Sequence, residues 1–242
     1  MIRIHSIETF GTHEGPGIRL VIFLQGCNFC CAYCHNPDTI PVGGGKKIGI
    51  PEIIGMLESE RPYFSGQGGL SVSGGEPGLQ AKELLPLFRE AKKRGFHTVL
   101  DTNASLSSAE YLRLLKIADL ALIDLKEFDA ESHLKLSGRD NEPVLKNILF
   151  REKAGKPFWI RYVLVPGWSD NREHLRQAAA FLAPCRHLER LEILPYHNLG
   201  VHKYKELGRR YRLSGVRPPS RAELEIALKI FRDAGLPVFI RA

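Results

Sequence analysis

Four of the chain's five cysteines fall within eight positions of the stretch QGCNFCCAYCHN at 25–36: Cys27, Cys30, Cys31 and Cys34. In a reducing compartment such a density points to metal or redox chemistry rather than to structural disulfides. Structural zinc usually takes two separated cysteine pairs. Here the pairs would abut at Cys30 and Cys31, which leaves little chain to wrap a tetrahedron. The usual spacings of a four-cysteine iron–sulfur cluster do not fit all four positions. With Cys30 set aside, the remainder reads C-x3-C-x2-C, with the aromatic Tyr33 directly before the last ligand. Three thiolates on a four-iron cube would leave one iron without a protein ligand, and an open position is what separates catalytic from structural zinc. The competing triple, Cys27, Cys30 and Cys34, reads C-x2-C-x3-C.

Other polar tokens follow apolar runs. SGGEP (73–77) follows LSVSG, DTN (101–103) ends HTVLDT, DLK (124–126) ends DLALIDLK, and PYH (195–197) ends LERLEILPY. Together with IRLVIFLQ (18–25) and FWIRYVLV (158–165), these runs predict six strands at 18–25, 70–74, 97–102, 119–126, 158–165 and 188–196. Near-continuous apolar runs of this length suit strands covered on both faces.

Helical patterns lie between the strands. The segment 170–184 carries Asp170 and Glu173 as a capping pair and Pro184 as a stop, and 220–235 repeats the device with Ser220, Glu223 and Gly235. The segment 81–95 contains Pro86, which predicts a kink or a late start. Strands alternating with helices imply right-handed crossovers and parallel strands, in an open doubly wound sheet or a partial barrel. In both, the site lies at the C-terminal ends of the strands, where the tokens fall.

The 242 residues suffice for one large domain, and 43% hydrophobic with 25% charged is ordinary for a globular chain. The run LVIFL at 20–24 is too short to span a bilayer, and MIRIHSIETF lacks the features of a secretory signal, so a cytoplasmic protein is expected. Of the net charge of +7, much lies in 200–221, which holds seven Lys or Arg against Glu206. That segment is a solvated loop or a docking surface for an acidic partner; no RNA-binding signature accompanies it.

The register Cys27, Cys31, Cys34 with Tyr33 before the last cysteine resembles the radical S-adenosylmethionine (SAM) superfamily. The likeness extends to one branch, the activating enzymes of glycyl radical enzymes, and most closely to those acting on pyruvate formate-lyase. It is carried by GPGIR (15–19), SGGE (73–76), LDTN (100–103), DLK (124–126), WIRYV and VPGWSD (159–170), LPYH (194–197) and GV.PP (215–219). Other members of the branch carry an inserted ferredoxin-like segment; the remaining cysteine here, Cys185, could not build a second cluster and is read as a simple thiol.

The resemblance implies a single radical SAM domain over 1–242 with a partial (β/α)6 barrel, parallel strands and outer helices. It implies a [4Fe–4S] cluster on Cys27, Cys31 and Cys34, with SAM on the free iron and Cys30 a bystander. It places SAM against Tyr33, Cys34, His35, Gly74, Gly75, Glu76, Asp124, Leu125, Lys126, Arg161 and His197. A monovalent cation is expected at Asp101, Thr102 and Asp124, against the simpler reading of an Asp124–Lys126 pair. Glu14 and Arg161 are expected to meet the substrate peptide, although the family usually has Asp where this chain has Glu14. The glycines would let carbonyls approach the SAM ammonium, or would only form a tight turn. For His35 and His197 the plain alternatives are a loop histidine and a structural one.

The expected partners are a glycyl radical enzyme, with pyruvate formate-lyase foremost, and flavodoxin or ferredoxin as electron donor. A monomer with no membrane or nucleic-acid partner is expected. Two other functions share the cysteine loop: a radical SAM enzyme acting on a small molecule or nucleobase, and a non-catalytic iron–sulfur or zinc module. The tokens SGGEP, DLK and LPYH have no use in the last.

Overall fold

The computed structural model describes residues 1–241. The chain divides into two compact units: residues 1–28 with 39–122, and residues 29–38 with 123–242. The strands are β1 (Ile2–Gly11), β2 (Arg19–Leu24), β3 (Lys46–Ile48), β4 (Gly69–Gly74), β5 (His97–Thr102), β6 (Leu120–Asp124), β7 (Phe158–Leu164), β8 (Leu188–Pro195) and β9 (Val238–Ile240).

In the first unit the order is β3-β1-β2-β4-β5-β6. Strand β2 runs parallel to β4 from Arg19 opposite Gly69 to Leu24 opposite Gly74, and β4 runs parallel to β5. The residues of β2 are buried except for the half-buried Phe23, as its unbroken apolar run requires. In the second unit β7, β8 and β9 pair in parallel. The six expected strands are therefore present, within two residues at each end, and the class is α/β with parallel strands. Strands β1, β3 and β9 are additional. The first lies antiparallel to β2 and buries Ile2 and Ile4.

The Ser220 capping box forms, with Ser220 and Glu223 bonding reciprocally at the start of the helix Arg221–Asp233. The other expected cap is corrected. Helix Arg172–Leu182 is capped by Asn171, which accepts from the N–H groups of Glu173 and His174, while Asp170 accepts from Gly167 N at 2.8 Å. Helix Ala81–Lys93 runs through Pro86 without a late start.

Arg19, from GPGIR, is fully buried in the first unit. It donates to the carbonyls of Pro16 (2.8 Å), Gln67 (2.7 Å), Leu70 (2.7 Å) and His97 (3.1 Å), and to Ser71 Oγ. A buried guanidinium survives only with such a set of acceptors. Burial, and then the Arg19 charge, pull His97 from 6.5 down to about 4. The unfolded chain then binds this proton first as pH falls, so stability should drop between about pH 6.5 and pH 4. Urea unfolding of the metal-free chain at about pH 7 and about pH 5 checks this, and His97→Asn should reduce the difference.

Candidate iron–sulfur and SAM site

In the first unit, the turn after β4 places Gly74, Gly75 and Glu76. A Cβ on Gly75 would lie 2.0 Å from the Gly26 carbonyl oxygen, and one on Gly74 2.3 Å from Leu24 N. Gly74 also has φ of +103°. The tight turn thus accounts for both glycines by close backbone packing.

The Glu76 carboxylate is fully buried and accepts from Gly78 N (2.7 Å), Thr102 Oγ1 (2.7 Å) and Asn103 N (2.8 Å). Its work in this unit is to fasten the end of β4 to the end of β5. The Thr102 hydroxyl donates to Glu76, accepts from Ala104 N at 3.0 Å and lies 3.2 Å from Tyr111 Oη. Its one proton and two lone pairs are thereby engaged, so Thr102 could offer a cation only its carbonyl. Asp101 accepts from Ser73 Oγ at 2.6 Å. Asn103, which sequence reasoning passed over inside its own DTN token, donates to Asn28 Oδ1 at 3.0 Å and approaches Cys27 Sγ at 4.0 Å. Donors to a thiolate tune and orient it as a metal ligand. The carbonyl of Glu14 accepts from Ser71 Oγ at 2.5 Å, and its charge acts on Arg19.

In the second unit, residues 29–38 pack with the C-terminal half of the chain. The N–H groups of Cys30 and Ala32 donate to the carbonyls of Ser137 and Leu136, each at 2.8 Å, at the end of the helix Ala130–Ser137. The Cys30 residue is exposed, whereas Cys31 and Cys34 are half-buried. Burial pushes the Cys31 thiol up to about 12, an effect that Lys126 opposes. A metal's positive charge would reverse this and hold the thiolate.

The Lys126 ammonium pairs with Asp124 at 2.7 Å and sits 5.6 Å from the centre of the buried Tyr33 ring. The Asp124–Lys126 pair weighed as the simpler reading is therefore formed. Leu125 is buried and its N–H donates to the Arg161 carbonyl at 3.0 Å. Arg161 Nε meets Glu192 at 3.3 Å, and Glu192 also takes Arg241 at 3.1 Å and Arg190 at 3.5 Å. One buried carboxylate thus faces three guanidinium groups. His35 and His197 stack with ring centres 4.1 Å apart, and His35 Nε2 lies 3.1 Å from the His197 carbonyl. Burial lowers the His35 pKa, against the hydrogen bond to the His197 carbonyl, which raises it.

Part of the basic segment is tied to the cysteine loop. Lys203, Tyr204, Arg209 and Arg212 all donate to residues of 29–38. Arg209 and Arg212 therefore serve this loop, whereas Arg210 between them is exposed. No disulfide joins any of the five cysteines. Among the described residues, no three His, Cys, Asp or Glu side chains gather as around a single ion; a four-iron cube takes its thiolates at separate corners. Soft thiols with nearby amide donors suit an iron–sulfur group by their chemistry. No helix among the described residues is long and apolar enough to cross a membrane.

Residues 21–181 match the radical SAM superfamily. A pyruvate formate-lyase-activating enzyme of Staphylococcus epidermidis is 42% identical over 89% of both chains. The enzyme of that name from Staphylococcus aureus is 39% identical over 97% of both. A solved domain of pyruvate-formate lyase-activating enzyme from Bacteroides vulgatus superposes with a TM-score of 0.61 at 29% identity, covering 72% of this chain and 99% of that one. Streptococcus suis SuiB bound to the precursor peptide SuiA gives a TM-score of 0.71 at 17% identity, over 93% of this chain and 48% of that one, which is a likeness of fold alone.

Proposed function

This chain belongs to the radical SAM superfamily and, within it, to the activating enzymes typified by those of pyruvate formate-lyase, and from that premise we propose that it converts one glycine of pyruvate formate-lyase to a glycyl radical. When bound, the cluster and SAM would, on taking up one electron, supply methionine and a 5′-deoxyadenosyl radical able to take the glycine α-hydrogen. The electron comes from a one-electron donor of the flavodoxin or ferredoxin class. The observation that carries the ligand assignment is the outward placement of Cys30, with its N–H held by Ser137, beside the partly buried Cys31 and Cys34.

In this reading Cys27, Cys31 and Cys34 hold the cluster. Tyr33 and His35 flank the adenine, and the turn at Gly74, Gly75 and Glu76 presents its backbone to the SAM amino group. Asp124, Leu125, Lys126, Arg161 and His197 orient the rest of SAM and exclude water. Asp101, Asp124 and the Thr102 carbonyl are proposed to take a monovalent cation, which would offset the repulsion between these carboxylates and that of SAM. Glu14 and Arg161 hold the entering glycine loop. No side chain is required as an acid or base, because a carbon radical abstracts a hydrogen atom without one.

The test is 5′-deoxyadenosine formed anaerobically from SAM and a reductant, with and without a peptide spanning the radical glycine of pyruvate formate-lyase. The peptide is expected to raise the yield, and potassium to raise it over tetramethylammonium. A yield that ignores the peptide and responds to a small metabolite instead would favour the small-molecule reading.

A further inference from the structure

We propose that the basic segment 200–213 is a strap that holds the ligand loop 30–38 in its metal-binding conformation, so that its first task is to retain the cluster. The inference rests on the cluster reading above and deepens it.

The strap meets the loop on both sides of Cys31 and Cys34. Arg212 donates from one nitrogen to the Cys30 carbonyl at 3.4 Å and from another to the Lys135 carbonyl, so it bridges the loop to the helix Ala130–Ser137. Tyr204 donates its hydroxyl to the carbonyl of Cys34, itself a proposed ligand, at 3.1 Å. Arg209 reaches the Pro37 carbonyl at 3.4 Å, and Lys203 reaches Asn36 Oδ1 at 2.7 Å and the Asp38 carboxylate at 3.3 Å. The backbone closes just as tightly: a Cβ on Gly200 would lie 2.8 Å from the His35 Cα.

The strap is itself anchored. Tyr204 is buried with its ring 4.9 Å from that of Tyr211, and Tyr211 Oη lies 2.7 Å from Tyr196 Oη. The N–H groups of Cys30 and Ala32 are taken by the helix end described above. The loop is thus clamped between a helix terminus on one side and the strap on the other. A loop fixed before metal arrives loses less conformational freedom on binding and releases metal more slowly. Partners outside the ligand set commonly change metal affinity tenfold or more.

Tyr204→Phe removes one hydroxyl and keeps the ring packing; Arg212→Gln removes the bridge at an exposed position. Arg210→Gln, exposed on the same segment, removes an equal charge and serves as control. The holoproteins are challenged with excess chelator without SAM, and iron release is followed by loss of visible absorption, with circular dichroism to verify folding. Release should speed up about three- to tenfold for Tyr204→Phe and for Arg212→Gln, the factor one hydrogen bond commands, and further in the double variant. Arg210→Gln should match wild type. Folded variants that release iron at the wild-type rate overturn the strap, as does an Arg210→Gln effect equal to that of Arg212→Gln. A wild type that takes up no cluster removes the cluster reading and the strap together; a stable wild-type cluster with indifferent variants removes the strap alone.

Discussion

The Cys31→Ser protein is expected to form no detectable 5′-deoxyadenosine from SAM under reducing conditions, while Cys30→Ser forms it at a rate within about twofold of wild type. The two residues are adjacent, so general disturbance of the loop predicts similar losses in both. The structure separates them. The Cys30 residue is exposed and its N–H is spent on Ser137, whereas Cys31 lies close enough to Lys126 for the ammonium to act on its thiol. Serine oxygen is a hard ligand and a poor substitute for thiolate on iron. The assay follows anaerobic reconstitution, with iron counted per chain. The reverse pattern, Cys30→Ser dead and Cys31→Ser active, would move the ligand set to Cys27, Cys30 and Cys34.

Lys126→Met should produce the second large effect, a loss of about 2–4 kcal/mol of stability together with loss of SAM binding. Lys126 and Asp124 pair at 2.7 Å with side chains only 12% and 22% exposed, so removing the ammonium strands a carboxylate with little water to receive it. Burial, the largest single effect, would lower the Lys126 pKa, but the Asp124 carboxylate together with Tyr33 and Cys31 outweighs it and raises the value well above 10.5. The folded pKa therefore exceeds the unfolded one, and the pair's contribution is complete below the unfolded value and lost only as pH rises through the folded one. The deficit of Lys126→Met should accordingly be the same at about pH 6 and about pH 8 in urea titrations. Equal stability of wild type and variant would show the pair to be neutral. Asp124→Asn leaves the ammonium unpaired instead and should cost a comparable amount.

Much of this arrangement is legible in the residues. The six expected strands occur because runs such as RLVIFL are apolar on both faces, and that pattern has few other uses in a chain with helices between. The additional strand Ile2–Gly11 alternates buried Ile2 and Ile4 with half-exposed neighbours, a weaker signal than a continuous run. The cap at Asn171 was hidden beside Asp170, since either residue type serves and only the backbone angles decide between them. The same ambiguity affects Gly74 and Gly75, whose missing side chains suit both a ligand and the carbonyl of Gly26.

The strap is the feature least accessible to pattern reading. Tyr204 and Cys34 are 170 residues apart, and nothing local in HKYKELGRRYR says whether its cations face solvent or a carbonyl. Composition alone could only mark the segment as basic. The partner of Arg161 was foreseeable in type, a carboxylate or a carbonyl, but Glu192 as the meeting point of three arginines was not.

The central claim is that this chain moves a hydrogen atom from a protein glycine, and electron paramagnetic resonance tests it most directly. The reduced, reconstituted protein would be mixed anaerobically with SAM and pyruvate formate-lyase, and the frozen mixture examined for an organic radical. The expected result is a doublet split by the remaining glycine α-hydrogen, which collapses when the partner carries α-deuterated glycine, with deuterium recovered in 5′-deoxyadenosine. SAM cleavage with no radical on the partner and no deuterium transfer would contradict it.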